Sequence, residues 1–264
     1  MLIDQFTSDW QDRLAKRPLF LLIDGAFLPD FYREVQKAVP VSLLFERLPG
    51  CTDKTRSVSP FLAPYSPTSI NLKLSLTKCS GWPMLSAIET IESMEELATR
   101  LAAWCIVEND GQRFHFRFPD TRRLPSLFDS LSPVQRGSLA GPALRWSYVG
   151  REGQWQDLAL PATAQAVAER PFLGDNQFAA MVGDSEVDET ILLLRDRRPL
   201  PEQLPSERYA IVSEARRVAV VSRLDRDLIL DWCEYCLHNA LRLTEADALA
   251  TLMAWCEKSK SGEP

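Results

Sequence analysis

Apolar residues fall into two textures along this chain. Up to about residue 160, short apolar runs alternate with amphipathic stretches; beyond Pro161, apolar residues recur at three and four with few strand-like runs. Residues 5–16 read as a short amphipathic helix with Phe6, Trp10 and Leu14 on one face. Leu19 to Ile23 is a continuous apolar run that stops at Asp24-Gly25-Ala26, the pattern of a strand buried on both faces. Phe27, Phe31, Val35 and Val39 then mark a helix with Pro29-Asp30 in its first turn, and Val41 to Phe45 a second strand. This β-α-β opening predicts a parallel strand pair joined by a crossover helix. Residues 46–59 read as a polar loop. Ser59 to Tyr65 is extended and proline-flanked, which predicts an edge strand. Residues 70–76 carry two patterns. Ile70, Leu72, Leu74 and Leu76 alternate as in a strand, yet Ser66-Pro67 and Ser80-Gly81 look like a helix start and stop. The flanks favour a helix.

The stretch from Gly81 to Trp146 is the richest in signals. Residues 82–88 form an apolar run of strand length. Ser93 sits three residues before Glu96, the spacing of a capping box, and Ile91, Met94, Leu97, Ala98, Leu101, Trp104 and Cys105 follow a helical period. Asp110-Gly111 between two apolar runs predicts a tight hairpin, because both turn positions need φ > 0. Phe114, Phe116 and Phe118 alternate with His115 and Arg117, giving an aromatic and a cationic face. Leu124 to Leu131 is a helix after Asp120, and Ser132-Pro133 opens a further helical turn. Leu144–Val149 and Trp155–Leu158 flank Gly150-Arg-Glu-Gly153 as a hairpin.

After Pro161 the apolar sets around Phe178, Met181 and Val182, around Val187, Ile191 and Leu194, and on to Leu252 and Cys256 predict helices. The fold class expected is therefore α/β: a mixed-sheet α/β lobe over residues 1–160, then an all-helical lobe over residues 161–264. The 264 residues suffice for a sizeable core without metal or disulfide staples. A net charge of −6 disfavours nucleic acid, and no apolar run approaches the ~18 residues of a membrane span. The N-terminus lacks the basic start and apolar core of a secretory signal, so a cytoplasmic protein with reduced cysteines is expected.

Candidate chemistry is sparse. There are two histidines, His115 and His238, and neither sits in a cluster of carboxylates. Cys233-x-x-Cys236 with His238 and Cys256 could hold zinc, but a second Cys-x-x-Cys is missing and both cysteines fall on the apolar face beside Trp232 and Leu237. Core packing is the plainer reading. No nucleophile elbow and no phosphate-binding glycine loop is present. Asp24, at the end of a buried strand, is the best lone catalytic carboxylate, though aspartate at such a place also caps turns. Arg117, Arg122 and Arg123 near Asp120 could bind an anion or form ion pairs. A hydrolase or transferase using Asp24 and Arg117 at a sheet edge is thus one reading. Among seven tryptophans, Trp104 and Trp232 lie on apolar helix faces, whereas Trp82, Trp146 and Trp155 lie near strand ends or a turn and are candidates for a binding surface.

Taken in order, Phe20–Ala26, Ser59-Pro60-Phe61-Leu62, Trp82-Pro83, Glu89, the helix start at Ser93–Leu97, Asp110-Gly111, Phe116-Arg117-Phe118, Gln135 and Gly141-Pro142 resemble the adaptor-chaperone family that accompanies type VI secretion effectors. Asp175–Phe178 and Ile191–Arg195 are similar to that family's C-terminal lobe. The chain departs from it after the Phe-Arg-Phe segment, where Pro119-Asp120 replaces an aromatic followed by Asp-Pro, and before Gly141, where Leu139-Ala140 lacks an aromatic. The resemblance implies a non-catalytic cytoplasmic adaptor without cofactor. Its partners would be one toxic effector and the spike, the valine-glycine repeat protein or its tip. Asp24, Trp82, Arg117, Asp120, Arg122, Trp146 and Trp155 are the residues expected to serve partner binding.

Overall fold

The computed structural model describes residues 18–80, 82–151, 153–164, 171–183, 186–244 and 246–261. The helix expected over residues 5–16 lies outside them. The chain divides into two compact units, one ending at Gly183 and one beginning at Asp184.

The first unit is built on a sheet of six strands in the order β2-β3-β1-β4-β7-β8. These are β1 Leu19–Ile23, β2 Ser42–Leu43, β3 Phe61–Pro64, β4 Leu85–Thr90, β7 Ala143–Val149 and β8 Trp155–Asp157. Two further strands, β5 Ile106–Asn109 and β6 Gln112–His115, form a separate hairpin. Its turn is Asp110-Gly111, with φ of 46° and 70°, as the sequence predicts.

Every strand pairing is antiparallel, so the sheet is not mixed. β1 and β2 do run parallel, but β3 lies between them and pairs with both. The supposed edge strand is thus an interior one. Its prolines do not forbid this, because Pro60 precedes the strand and Pro64 ends it, leaving Phe61 to Ala63 with their N–H groups.

The apolar run of β1 is explained by layers on both faces. Phe20 and Leu22 join Leu62, Ile88 and Trp146 on one face, where α4 (Met94–Ala103), α5 (Leu124–Ser130) and α6 (Pro133–Ala140) pack. Leu19, Leu21 and Ile23 join Phe61, Ala63 and Ala87 on the other, under α1 (Phe31–Val35) and α3 (Ile70–Leu76). At residues 70–76 the helix prevails, with Ser69 capping it. Leu72 and Leu76 are buried and Ile70 and Leu74 exposed, so the strand-like alternation is two pairs at i, i+4 on opposite sides of a helix. The capping box at Ser93 is formed, but Ile91 precedes it and is exposed. The expected loop after Phe45 contains a short helix, α2 (Asp53–Ser57), capped by Thr52.

The first unit extends past the boundary near residue 160 that the loss of strand pattern suggests. Helix α7 (Asp175–Gly183) packs on the hairpin and α5. Phe178 meets Phe114 at 4.5 Å, Gln177 donates to the Ser130 carbonyl at 2.9 Å, and Asn109 donates to the Leu173 carbonyl at 2.9 Å.

The second unit is helical in all its described elements: α8 Glu186–Arg197, α9 Pro205–Val221, α10 Arg226–His238 and α11 Ala248–Ser261. Its core gathers Val212, Ala215, Ala219, Trp232, Cys233, Cys236, Leu237 and Leu252. The Trp232 indole N–H donates to the Ala215 carbonyl at 3.1 Å, which satisfies the one polar group of that ring. Among the described residues, no helix is long and apolar enough to cross a membrane.

Candidate functional site

Asp24 directly follows β1, and its N–H donates to the Met84 carbonyl at 2.9 Å. The next residue must be small. A Cβ on Gly25 would stand 2.3 Å from the Ser59 carbonyl oxygen, so the β1 turn and the Ser59-Pro60 segment can touch only through glycine. Ser59 is buried and its hydroxyl accepts from the Phe45 N–H at 3.0 Å, which fixes the chain entering the 45–51 loop.

The Asp24 carboxylate accepts from the Ala26 N–H at 3.0 Å and from Arg117 at 2.8 Å. Asp24 is 3% exposed in its side chain and Arg117 46%. Burial pushes the Asp24 carboxyl above its ordinary 3.8, and the Arg117 charge opposes that rise without cancelling it. Asp120 lies at the next turn, 3.7 Å from Arg117 and bonded through both oxygens to Arg122 at 2.9 and 2.7 Å. Asp120 is fully buried, and its carbonyl receives the N–H groups of Arg123 and Leu124 as α5 begins. Thr121 ties this turn to the sheet, donating its hydroxyl to the Val149 carbonyl and its N–H to that of Pro83.

The network continues outward through rings. The Arg122 guanidinium lies 5.0 Å from the centre of Phe27, and Phe27 lies 6.0 Å from Trp82. Five of the seven residues expected at a binding surface, Asp24, Arg117, Asp120, Arg122 and Trp82, therefore form one connected group. Trp146 does not belong to a surface: it is 0% exposed, in edge contact with Phe118 at 6.3 Å. The strand phase explains the error. Trp146 is mid-strand in β7, opposite Ile88, and its position turns it into the core rather than out of a strand end. Trp155 is half-buried against the opposite face of the sheet, on the same core cluster that Trp82 and Phe27 pack against.

One opening borders this group, and a second shares residues with the first. A pocket of about 220 Å³ is bordered by Asp24, Cys105, His115, Phe116 and Arg117, with Val58 and Pro60 opposite. Cys105 donates to the Leu101 carbonyl, and burial together with the Asp24 charge drives its thiol far above its ordinary value. A thiolate nucleophile is disfavoured there. A larger groove of about 930 Å³ runs between residues 45–51 with Thr55, the C-terminal end of α4, and the β5–β6 hairpin. Phe45 and His115, whose rings lie 5.8 Å apart, border both openings. The sequence has no pattern for the 45–51 wall, and it sets His115 apart only as a histidine outside any cluster of carboxylates. The one available signal was the alternation that placed His115 on the outward side of β6.

Cys233 and Cys236 are fully buried between helices of the second unit, and burial raises the Cys233 thiol to about 12. All six cysteines are free thiols. Among the described residues, no group of histidine, cysteine and carboxylate side chains is placed to hold a metal ion.

No curated protein and no solved structure matches the chain. A likeness does emerge within the first unit, and it spans both walls of the Asp24 pocket. Residues 19–138 match the model of a family described as "Domain of unknown function (DUF4123)".

Proposed function

We propose that the chain is a non-catalytic adaptor and chaperone of the bacterial cytoplasm, one that binds a type VI secretion effector and helps load it onto the spike. The partner class comes from the resemblance. The matched span contains most of the residues that carry it, from Phe20–Ala26 through Ser59–Leu62 to Gln135. The observation that carries the non-catalytic reading is the engagement of the charged groups. Asp24 is held by Ala26 and Arg117, and Asp120 by Arg122 and Arg117. A base or nucleophile would need to leave such partners first. The groove that shares Phe45 and His115 with the Asp24 pocket mixes aliphatic, aromatic and charged side chains, a composition that suits a protein surface. Deleting the gene tests the proposal: the effector encoded beside it should lose solubility and export. Unchanged export would contradict it.

A second reading, a small hydrolase or transferase centred on Asp24 and Arg117, is favoured by one observation. Asp24 is buried, its carboxyl is raised, and it borders a pocket. Turnover of a substrate that vanishes in Asp24→Asn at unchanged melting temperature would establish it in place of the adaptor.

A further inference from the structure

Strand β5 is occupied on both sides. Beyond its pairing with β6, the Glu108 N–H donates to the Pro171 carbonyl and the Leu173 N–H to the Glu108 carbonyl, each at 2.9 Å. Among the described residues, strand β6 is occupied on the β5 side alone. The register fixes which of its groups face outward. Asn109 pairs with Gln112 across the turn, Val107 with Phe114, and the Phe116 N–H reaches the Cys105 carbonyl at 3.0 Å. In an antiparallel pair such positions exchange hydrogen bonds and the intervening ones point away. Arg113 and His115 are the intervening ones. Among the described residues, their N–H and C=O groups have no partner. Both residues are exposed, and both border the groove of about 930 Å³.

The charged side chains that line the groove are Arg47, Glu108 and Arg113. Arg47 is already engaged by the Glu95 carboxylate at 2.7 and 2.6 Å, which leaves Arg113 to meet an incoming anion. Arg113 reaches Glu108 only at 3.4 Å and stays 60% exposed, so it has capacity for a second carboxylate. Unpaired strand edges are ordinarily covered, twisted away or blunted by charge. Here the four-residue length and Arg113 discourage pairing with another copy, and the open groups remain.

We infer that β6 accepts an extended segment of the partner protein as an added strand, with an acidic side chain of that segment against Arg113. An extended backbone offers N–H and C=O groups at the spacing of the four open ones, whereas a helix has already satisfied its own. The identity of the partner rests on the adaptor reading; the open edge does not.

Short random peptides displayed on phage and selected on the full chain supply the probe. Arg113→Pro removes one outward N–H and leaves the β5 ladder intact, since that N–H takes no part in it and an edge tolerates proline. Arg113→Ala removes the side chain and keeps the N–H. Selected peptides should carry an acidic residue and lose about tenfold or more in affinity for Arg113→Pro, with a smaller loss for Arg113→Ala. Amide exchange at Arg113 and His115 should slow on binding, while Phe114, already in the ladder, changes little. If Arg113→Pro unfolds the hairpin, the exchange pattern on the unaltered chain decides. Selection of no peptide, equal binding by a folded Arg113→Pro, or protection elsewhere would overturn the inference. An effector complex that forms equally with Arg113→Pro would remove the edge and keep the adaptor. Peptides at the edge without any effector complex would do the reverse.

Discussion

Arg100 and Arg117 each reach a carboxylate in the first unit, but in different surroundings. Arg100 is 7% exposed and Glu92 12%, joined at 2.8 and 2.5 Å, and Arg100 also donates to the Leu139 carbonyl. Gly141 closes that site: at φ 56° its missing side chain leaves room for the guanidinium, which a Cβ would meet at 2.4 Å. Arg117 holds a carboxylate just as buried, yet nearly half of its own side chain faces solvent beside a pocket. The same pairing is a sealed strut in one place and a border in the other. The Gly141-Pro142 motif thus serves the fold, and so do Gly25 against Ser59 and the Ser93–Glu96 cap. Asp24 and Arg117, by contrast, border an opening.

The sharpest way to break this contrast is at the sealed site. Arg100→Ala should cost about 3–5 kcal/mol, because Glu92 is left buried without its partner. Gly141→Ala should be of similar severity, since strain at positive φ adds to displacement of the guanidinium. Denaturant unfolding measures both, and losses below about 1 kcal/mol would show that the strut is not one.

Arg117→Ala should cost less, about 1–2 kcal/mol, because solvent already screens this pair and Asp24 can take a proton once alone. A loss equal to that of Arg100→Ala would erase the distinction.

Asp24→Asn probes the border by pH. The folded-state carboxyl is raised, so between its ordinary 3.8 and the raised value the native state binds the more protons. Wild-type stability from this group therefore falls as pH rises through that window. Asparagine removes the dependence, so the stability of Asp24→Asn relative to wild type should grow with pH above about 4. A relative stability that falls over the same range would mean that Arg117 outweighs burial.

At the groove, Arg113→Ala should change stability by no more than about 0.5 kcal/mol, its side chain being 60% exposed. A larger thermal shift would make Arg113 part of the fold rather than of a surface.

Local signals are legible in the sequence for physical reasons. The Ser93 cap and the Asp110-Gly111 turn are decided by residues within four positions, and β1 announces itself because both its faces are covered. What escaped depends on distant partners. Insertion of β3 between β1 and β2 is a choice of pairing that proline position alone cannot settle. The attachment of α7 to the first unit rests on Phe178 meeting Phe114. The same holds for the site. The Asp24–Arg117 pair suggested in the sequence does form, whereas the groove wall at residues 45–51 has no periodicity to mark it and Trp146 is core by strand phase.

The proposed function is that this chain holds a larger protein. Its most direct test is size-exclusion chromatography of the full chain co-expressed with the effector encoded beside its gene, at micromolar concentration. The account predicts a single co-eluting complex that survives purification and buries at least ~1,000 Å², retained in Arg100→Met if that variant folds and weakened by changes at the groove. Separate elution of the two proteins would contradict it.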